Sequence, residues 1–158
     1  MSVDTSTWKT YRNVKYGFKF SYPPDHTPYV SVDAADNKLV PAATSSDSVS
    51  IADNESDALA GRGAVLMVVP VMVDERIGAW IDDNLANYVP DPKAVSRKNM
   101  TVAGKTAVEV AVPQSAAQSA KIYKLYVVQP GNYFLVITET APSALFDLVF
   151  STISFNPR

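Results

Sequence analysis

The chain has no cysteine and a single histidine, His26, among 158 residues. Disulfides, thiolate metal centres, cysteine nucleophiles and thiol lipidation are therefore excluded within it. A zinc centre built by this chain alone lacks its usual ligands. Long apolar runs are missing too. The longest, Ala64 to Val73, is half of the ~20 residues that cross a bilayer. No stretch has the pattern of a secretory signal, no repeat of about 20–50 residues is visible, and no Gly-x-Gly-x-x-Gly follows a strand-like segment. Nor is there an excess of either charge. Fourteen basic against sixteen acidic side chains give −2, so nothing predicts a general attraction to nucleic acid or anionic lipid.

What is present is a composition that folds. At 47% apolar the chain can bury a core of its own, and its length suits one domain. Residues 1–7 are small and polar and read as a linker, which leaves 8–158 as a single domain. The charges are blocked along the chain: +3 over residues 1–24, −9 over 25–91 and +4 over 92–158. Such blocks either form opposed poles on the surface or meet in the fold and neutralise one another.

The periodicity alternates between strand and helix. Phe18, Phe20 and Tyr22 point one way and Lys19 and Ser21 the other, which makes a half-buried strand stopped by Pro23-Pro24. Tyr29, Val30 and Val32 predict a second short strand, residues 33–47 a loop or hairpin, and Ser48 to Ala52 another strand. Valine-rich Ala64 to Val73 reads as a strand covered on both faces, with Pro70 at an edge or a bulge. Ile77, Trp80, Ile81, Leu85 and Tyr88 form one stripe of an amphipathic helix, capped by Asp74 and ended by Pro90 and Pro92. Strands then follow over Arg97–Val102, Lys105–Val112, Lys121–Val128 and Tyr133–Glu139, turned at Ala103-Gly104 and Pro130-Gly131-Asn132. A second short helix is expected from Pro142 through Phe150, and a last strand at Ile153–Phe155. The fold class is α+β: a central antiparallel sheet of about six to eight strands packed with two short helices.

The opening stretch Trp8, Tyr11, Asn13, Tyr16-Gly17-Phe18-Lys19-Phe20-Ser21-Tyr22-Pro23 resembles the first hairpin of PsbP-like domains, whose fold is shared with Mog1. Asp25-His26 departs from the Asp-Trp expected after it. The helix carrying Trp80, the Val102-Ala103-Gly104-Lys105 turn and the closing helix with Ile-Ser-Phe resemble the same layout. The resemblance implies a Mog1/PsbP-like sandwich and a protein that acts by binding. Its relatives include photosynthetic accessory proteins, a nuclear import factor and anchored bacterial lipoproteins. It assigns no residue a role.

Candidate chemistry is sparse. A nucleophilic arrangement would have to use His26 beside Asp25, and no Gly-x-Ser-x-Gly is present. Asp53, Glu55 and Asp57 alternate in the way a calcium loop aims its oxygens, but Ala58 and Ala64 stand where an EF-hand needs glycine and glutamate. Those three residues are the candidate metal ligands, with calcium as the candidate ion. Asp82 and Asp83 are neighbours on a helix and diverge. Tyr123 with Lys121, and Tyr126 with Lys124, would suit base stacking, though in an acidic chain they read as sheet cover. The function expected is a non-catalytic binding or adaptor domain of an exported or surface-anchored bacterial protein. Its partner would be another protein and not nucleic acid, with membrane contact only through a tether and an export signal ahead of residue 1. The alternatives are a divalent-cation enzyme or calcium module built on Asp53, Glu55 and Asp57, and a module docking its partner on a sheet edge near Pro70.

Overall fold

A computed structural model describes residues 6–26, 29–33, 38–41, 44–45, 47–52, 63–70, 76–89, 93, 95–112, 122–140 and 143–155. The chain divides into two compact units, Met1–Gly63 with Ser143–Arg158, and Ala64–Pro142. Strands and two short helices make it α+β, with every pairing antiparallel among the described residues.

In the first unit, β1 (Lys9–Asn13) and β2 (Phe18–Tyr22) form a hairpin, and β2 also pairs with the last strand of the chain, Ser154–Phe155. The hairpin turn is held by a buried asparagine. Asn13 Oδ1 accepts from the Tyr16 amide at 3.1 Å, its carbonyl accepts from the Gly17 amide at 2.8 Å, and its Nδ2 donates to the Tyr11 hydroxyl at 3.2 Å. Gly17 takes φ +79°, which glycine reaches without a Cβ penalty. The spacing of Tyr11, Asn13, Gly17, Phe18 and Phe20 thus has a mechanical reason. The Tyr11 ring lies 6.2 Å from Phe18 and 5.1 Å from Phe20. Strand β1 has no apolar alternation, because its two inward residues are a tyrosine and an asparagine.

The same unit holds β3 (Tyr29–Asp33), β4 (Lys38–Pro41) and β5 (Ser48–Ile51), with β3 between the other two. The stretch expected as loop or hairpin therefore supplies a strand, and the β3–β4 register shifts between Val30 and Asp33. The second helix of the chain, α2 (Ala144–Ser151), packs on β2 through buried Phe146 and Val149. Its cap is Ser143, whose Oγ accepts from the Phe146 amide at 3.0 Å. The expected start at Pro142 lies outside the described residues. Thr152 ties this helix to β2 by accepting from the Ser21 amide at 2.8 Å while donating to the Val149 carbonyl at 2.7 Å.

The second unit is a five-stranded sheet in the order β6-β10-β9-β8-β7: β6 (Ala64–Pro70), β7 (Ser96–Val102), β8 (Lys105–Ala111), β9 (Lys124–Gln129) and β10 (Tyr133–Glu139). Pro70 neither bulges nor interrupts this sheet. It is the last residue of β6, in unbroken register with Tyr133, where a missing donor costs least. Helix α1 (Ile77–Asn84) continues into a 3-10 turn over Leu85–Asn87 and packs on β8 and β9. Its predicted stripe is the observed one, since Ile77, Trp80, Ile81 and Leu85 are buried with Leu125, Val127, Phe134 and Val136. The Trp80 and Phe134 rings are 6.0 Å apart. The helix begins later than expected. Arg76 occupies its N-cap position and makes no side-chain capping bond, and Asp74 lies outside the described residues. The two helices lie on different sheets.

Replacing Phe20, fully buried between Tyr11 and its neighbours, by alanine is expected to lower unfolding free energy by about 3–5 kcal/mol. Ser143→Ala should cost about 1 kcal/mol through the lost cap. Urea unfolding measures both, and equal effects from the two would refute this ranking.

Candidate functional site

A cluster of charged and tyrosine side chains, with Glu139 buried and Glu109 and Lys124 half-buried, sits on β8, β9 and β10 of the second unit. The register places Lys124 opposite Glu139 on one side and Ala111 on the other, while Tyr126 lies opposite Glu109 and Ile137. Two-residue alternation therefore sets Glu109, Lys124, Tyr126 and Glu139 on one face, opposite the Phe134 and Val136 side that meets α1. Lys124 Nζ is 3.4 Å from Glu109 Oε1, 5.2 Å from the Tyr123 ring centre and 5.8 Å from that of Tyr126. Glu139 is 2% exposed.

The electrostatics follow from that placement. Burial disfavours charge on Lys124, but Tyr126, Glu109 and Tyr123 outweigh it and hold the ammonium above the ordinary lysine range. Tyr126 is pushed up to about 12, first by burial and then by Glu139 and Glu109, with Lys124 opposing. The cluster is thus an ammonium paired with the Glu109 carboxylate and covered by the Tyr123 and Tyr126 rings. The Tyr126 ring is buried, so it offers no face for base stacking, and Lys121 lies outside the described residues.

Two further polar groups belong to the first unit. His26 Nδ1 and Asp25 Oδ1 are 2.8 Å apart, and the hydrogen bond to His26 holds the Asp25 carboxyl below its usual range. The His26 amide donates to the Pro23 carbonyl at 3.0 Å, so the pair sits in the turn that follows β2. Tyr16 donates to Asp47, and Lys15 Nζ lies 3.2 Å from the same carboxylate. Those bonds, Tyr16's first, lower Asp47, and Tyr16 with Asp47 raises Lys15. Together with Val14 N donating to the Thr44 carbonyl at 2.8 Å, they fasten the first hairpin turn to residues 44–47. Lys15 of the first charge block thus meets Asp47 of the second.

The proposed metal ligands Asp53, Glu55 and Asp57 lie outside the described residues. Among those described, no three His, Cys, Asp or Glu side chains converge as a metal site, and no helix is long and apolar enough to cross a membrane. Asp82 and Asp83 are exposed on α1, and Asp82 Oδ1 pairs with Arg97 Nη2 on β7 at 2.6 Å. The polar cluster around Lys124 escapes sequence reading because its carboxylates lie 15 residues to either side of the lysine and meet only through strand register.

No family model and no curated protein matches the sequence. Among solved structures the chain is similar to cyanobacterial PsbP (CyanoP) from Synechocystis sp. PCC 6803, with a TM-score of 0.53 and 14% identity, over 99% of this chain and 96% of that one. The fold is PsbP-like. At that identity the likeness extends to the path of the backbone and no further, but it covers the PsbP-like layout from end to end.

Tyr126 supplies a pH test of the buried cluster. Its folded value, raised from 10 to about 12, means that the unfolded chain loses this proton first. Stability from Tyr126 is therefore complete below pH 10 and is lost as pH rises toward 12. Tyr126→Phe is expected to flatten the fall of unfolding free energy over pH 10–12 measured in urea; an unchanged slope would contradict the burial assigned to this phenol.

Proposed function

We propose that this PsbP-like chain is a non-catalytic binding domain of an exported or surface-anchored bacterial protein, and that it recognises another protein. The supporting observation is the end-to-end likeness to CyanoP. The polar groups best placed for chemistry also serve the fold: Lys124 against Glu109, Asp25 with His26, Asp47 with Tyr16 and Lys15. Recognition by surface, with the scaffold held rigid, is the use that such an arrangement favours. Any membrane contact is assigned to a tether ahead of Trp8.

Fractionation of the source cells tests the location and the role together. The chain is expected outside the cytoplasmic membrane, recovered by cross-linking in a defined complex. Recovery from the cytosol as a free monomer would overturn the proposal. A thermal-shift titration separates the cation reading. Millimolar calcium or magnesium is expected to leave the unfolding midpoint unchanged, whereas binding at a hundred times the dissociation constant would add about 2.7 kcal/mol. A shift abolished by D53N, E55Q and D57N together would favour the metal loop instead.

A further inference from the structure

Strand β7 closes one end of the second unit's sheet, and the backbone hydrogen-bonding groups of three of its seven residues face outward. Ala103 and Gly104 have φ of 50° and 80°, the type I′ turn in which the two flanking residues form a hydrogen-bonded pair. Those residues, Val102 and Lys105, lie directly opposite one another. Antiparallel ladders alternate bonded and non-bonded pairs. The bonded pairs in β7 are therefore Met100–Ala107, Lys98–Glu109 and Ser96–Ala111, while Arg97, Asn99 and Thr101 occupy the non-bonded positions. The amides and carbonyls of these three aim away from β8. All seven pairs run without a register shift, and β7 contains no proline. Ser96 to Asn99 and Thr101 are exposed. Natural edges of this length are usually blunted by a bulge, a proline, a cover or charge, and among the described residues β7 has only the charge.

That charge chooses the occupant. Arg97 and Lys98 project to opposite faces of the strand. Arg97 holds Asp82 at the surface, and Lys98 has no ion pair among the described residues. Pairing β7 with β7 of a second copy would gather four cations into one ladder, which like-charge repulsion opposes. A strand carrying carboxylates meets Lys98, beside Glu109 in the register, on one face and Arg97 in its pair with Asp82 on the other. We infer that β7 is a docking edge for an extended acidic segment of another protein, which adds to the sheet as a further antiparallel or parallel strand. This rests on the binding-domain reading and specifies the chemistry of its partner.

The probe is a synthetic decapeptide of alternating threonine and valine with two adjacent glutamates at its centre, set against the same peptide with lysines in their place. Amide hydrogen exchange of the whole chain is the readout. The acidic peptide is expected to slow exchange at Arg97, Asn99 and Thr101 at least tenfold, with Lys98 and Met100, already bonded to β8, unchanged. Added salt and the double reversal R97E with K98E should each weaken binding about tenfold or more. Asn99→Pro should do the same, since it deletes an outward amide and spares the β7–β8 ladder; if that variant does not fold, the charge reversal decides. Equal binding of the lysine peptide, or protection confined to other strands, refutes the inference. Self-association lost in the charge reversal would replace the acidic partner with a second copy. A native complex in which Arg97, Asn99 and Thr101 exchange freely would refute the edge and leave the binding-domain reading standing.

Discussion

The constraint on which the second unit depends is the burial of β10. This strand bonds to β6 on one side and β9 on the other, and six of its seven residues are buried. A strand with no wet face must be apolar almost throughout, and Tyr-Phe-Leu-Val-Ile meets that requirement. Each neighbour then inherits a fixed register, since a one-residue slip would turn an apolar row away from α1. The exception is Glu139 at the strand's end. A carboxylate at that depth is costly, and Lys124 is its direct cross-strand neighbour in the register. The Lys124 ammonium itself pairs with Glu109, 3.4 Å away. Removing that lysine would leave half-buried Glu109 without its cation.

The first unit solves a different problem. Its hairpin is too short to be held by apolar area alone, and a polar anchor does the work: Asn13 gathers the turn amides and the Tyr11 hydroxyl inside the aromatic cluster. Outside, Asp47 collects Tyr16 and Lys15 from the same turn. A buried asparagine with several satisfied groups tolerates few replacements, which explains why that residue belongs to a motif otherwise made of aromatics and glycine.

Features encoded within a few residues were legible in the sequence. The alternation of β2, the stripe of α1 and the turns at Ala103-Gly104 and Pro130-Gly131-Asn132 each depend on neighbours in the chain. Features encoded by partners elsewhere were not. Strand β1 shows no alternation because one of its inward residues is Asn13, and β4 is four residues inside a polar stretch. The Glu109, Lys124 and Glu139 grouping is visible only once β8, β9 and β10 are aligned. The edge at β7 looked like an ordinary polar strand, since openness is a property of sheet order and not of composition.

The tie between Thr152 and Ser21 spans 131 positions, and its consequence is temporal. Strand β2 of the first unit waits for α2 and its final strand partner, both of which leave the ribosome only after Ala64–Pro142 has been made. The usual vectorial rule, in which the leading portion of a chain condenses first, cannot complete the first unit until the last residues are made. Until then the aromatic hairpin lacks α2 and its last strand partner, so nascent chains pass through a stage in which Phe18 and Phe20 are the surface a chaperone would meet.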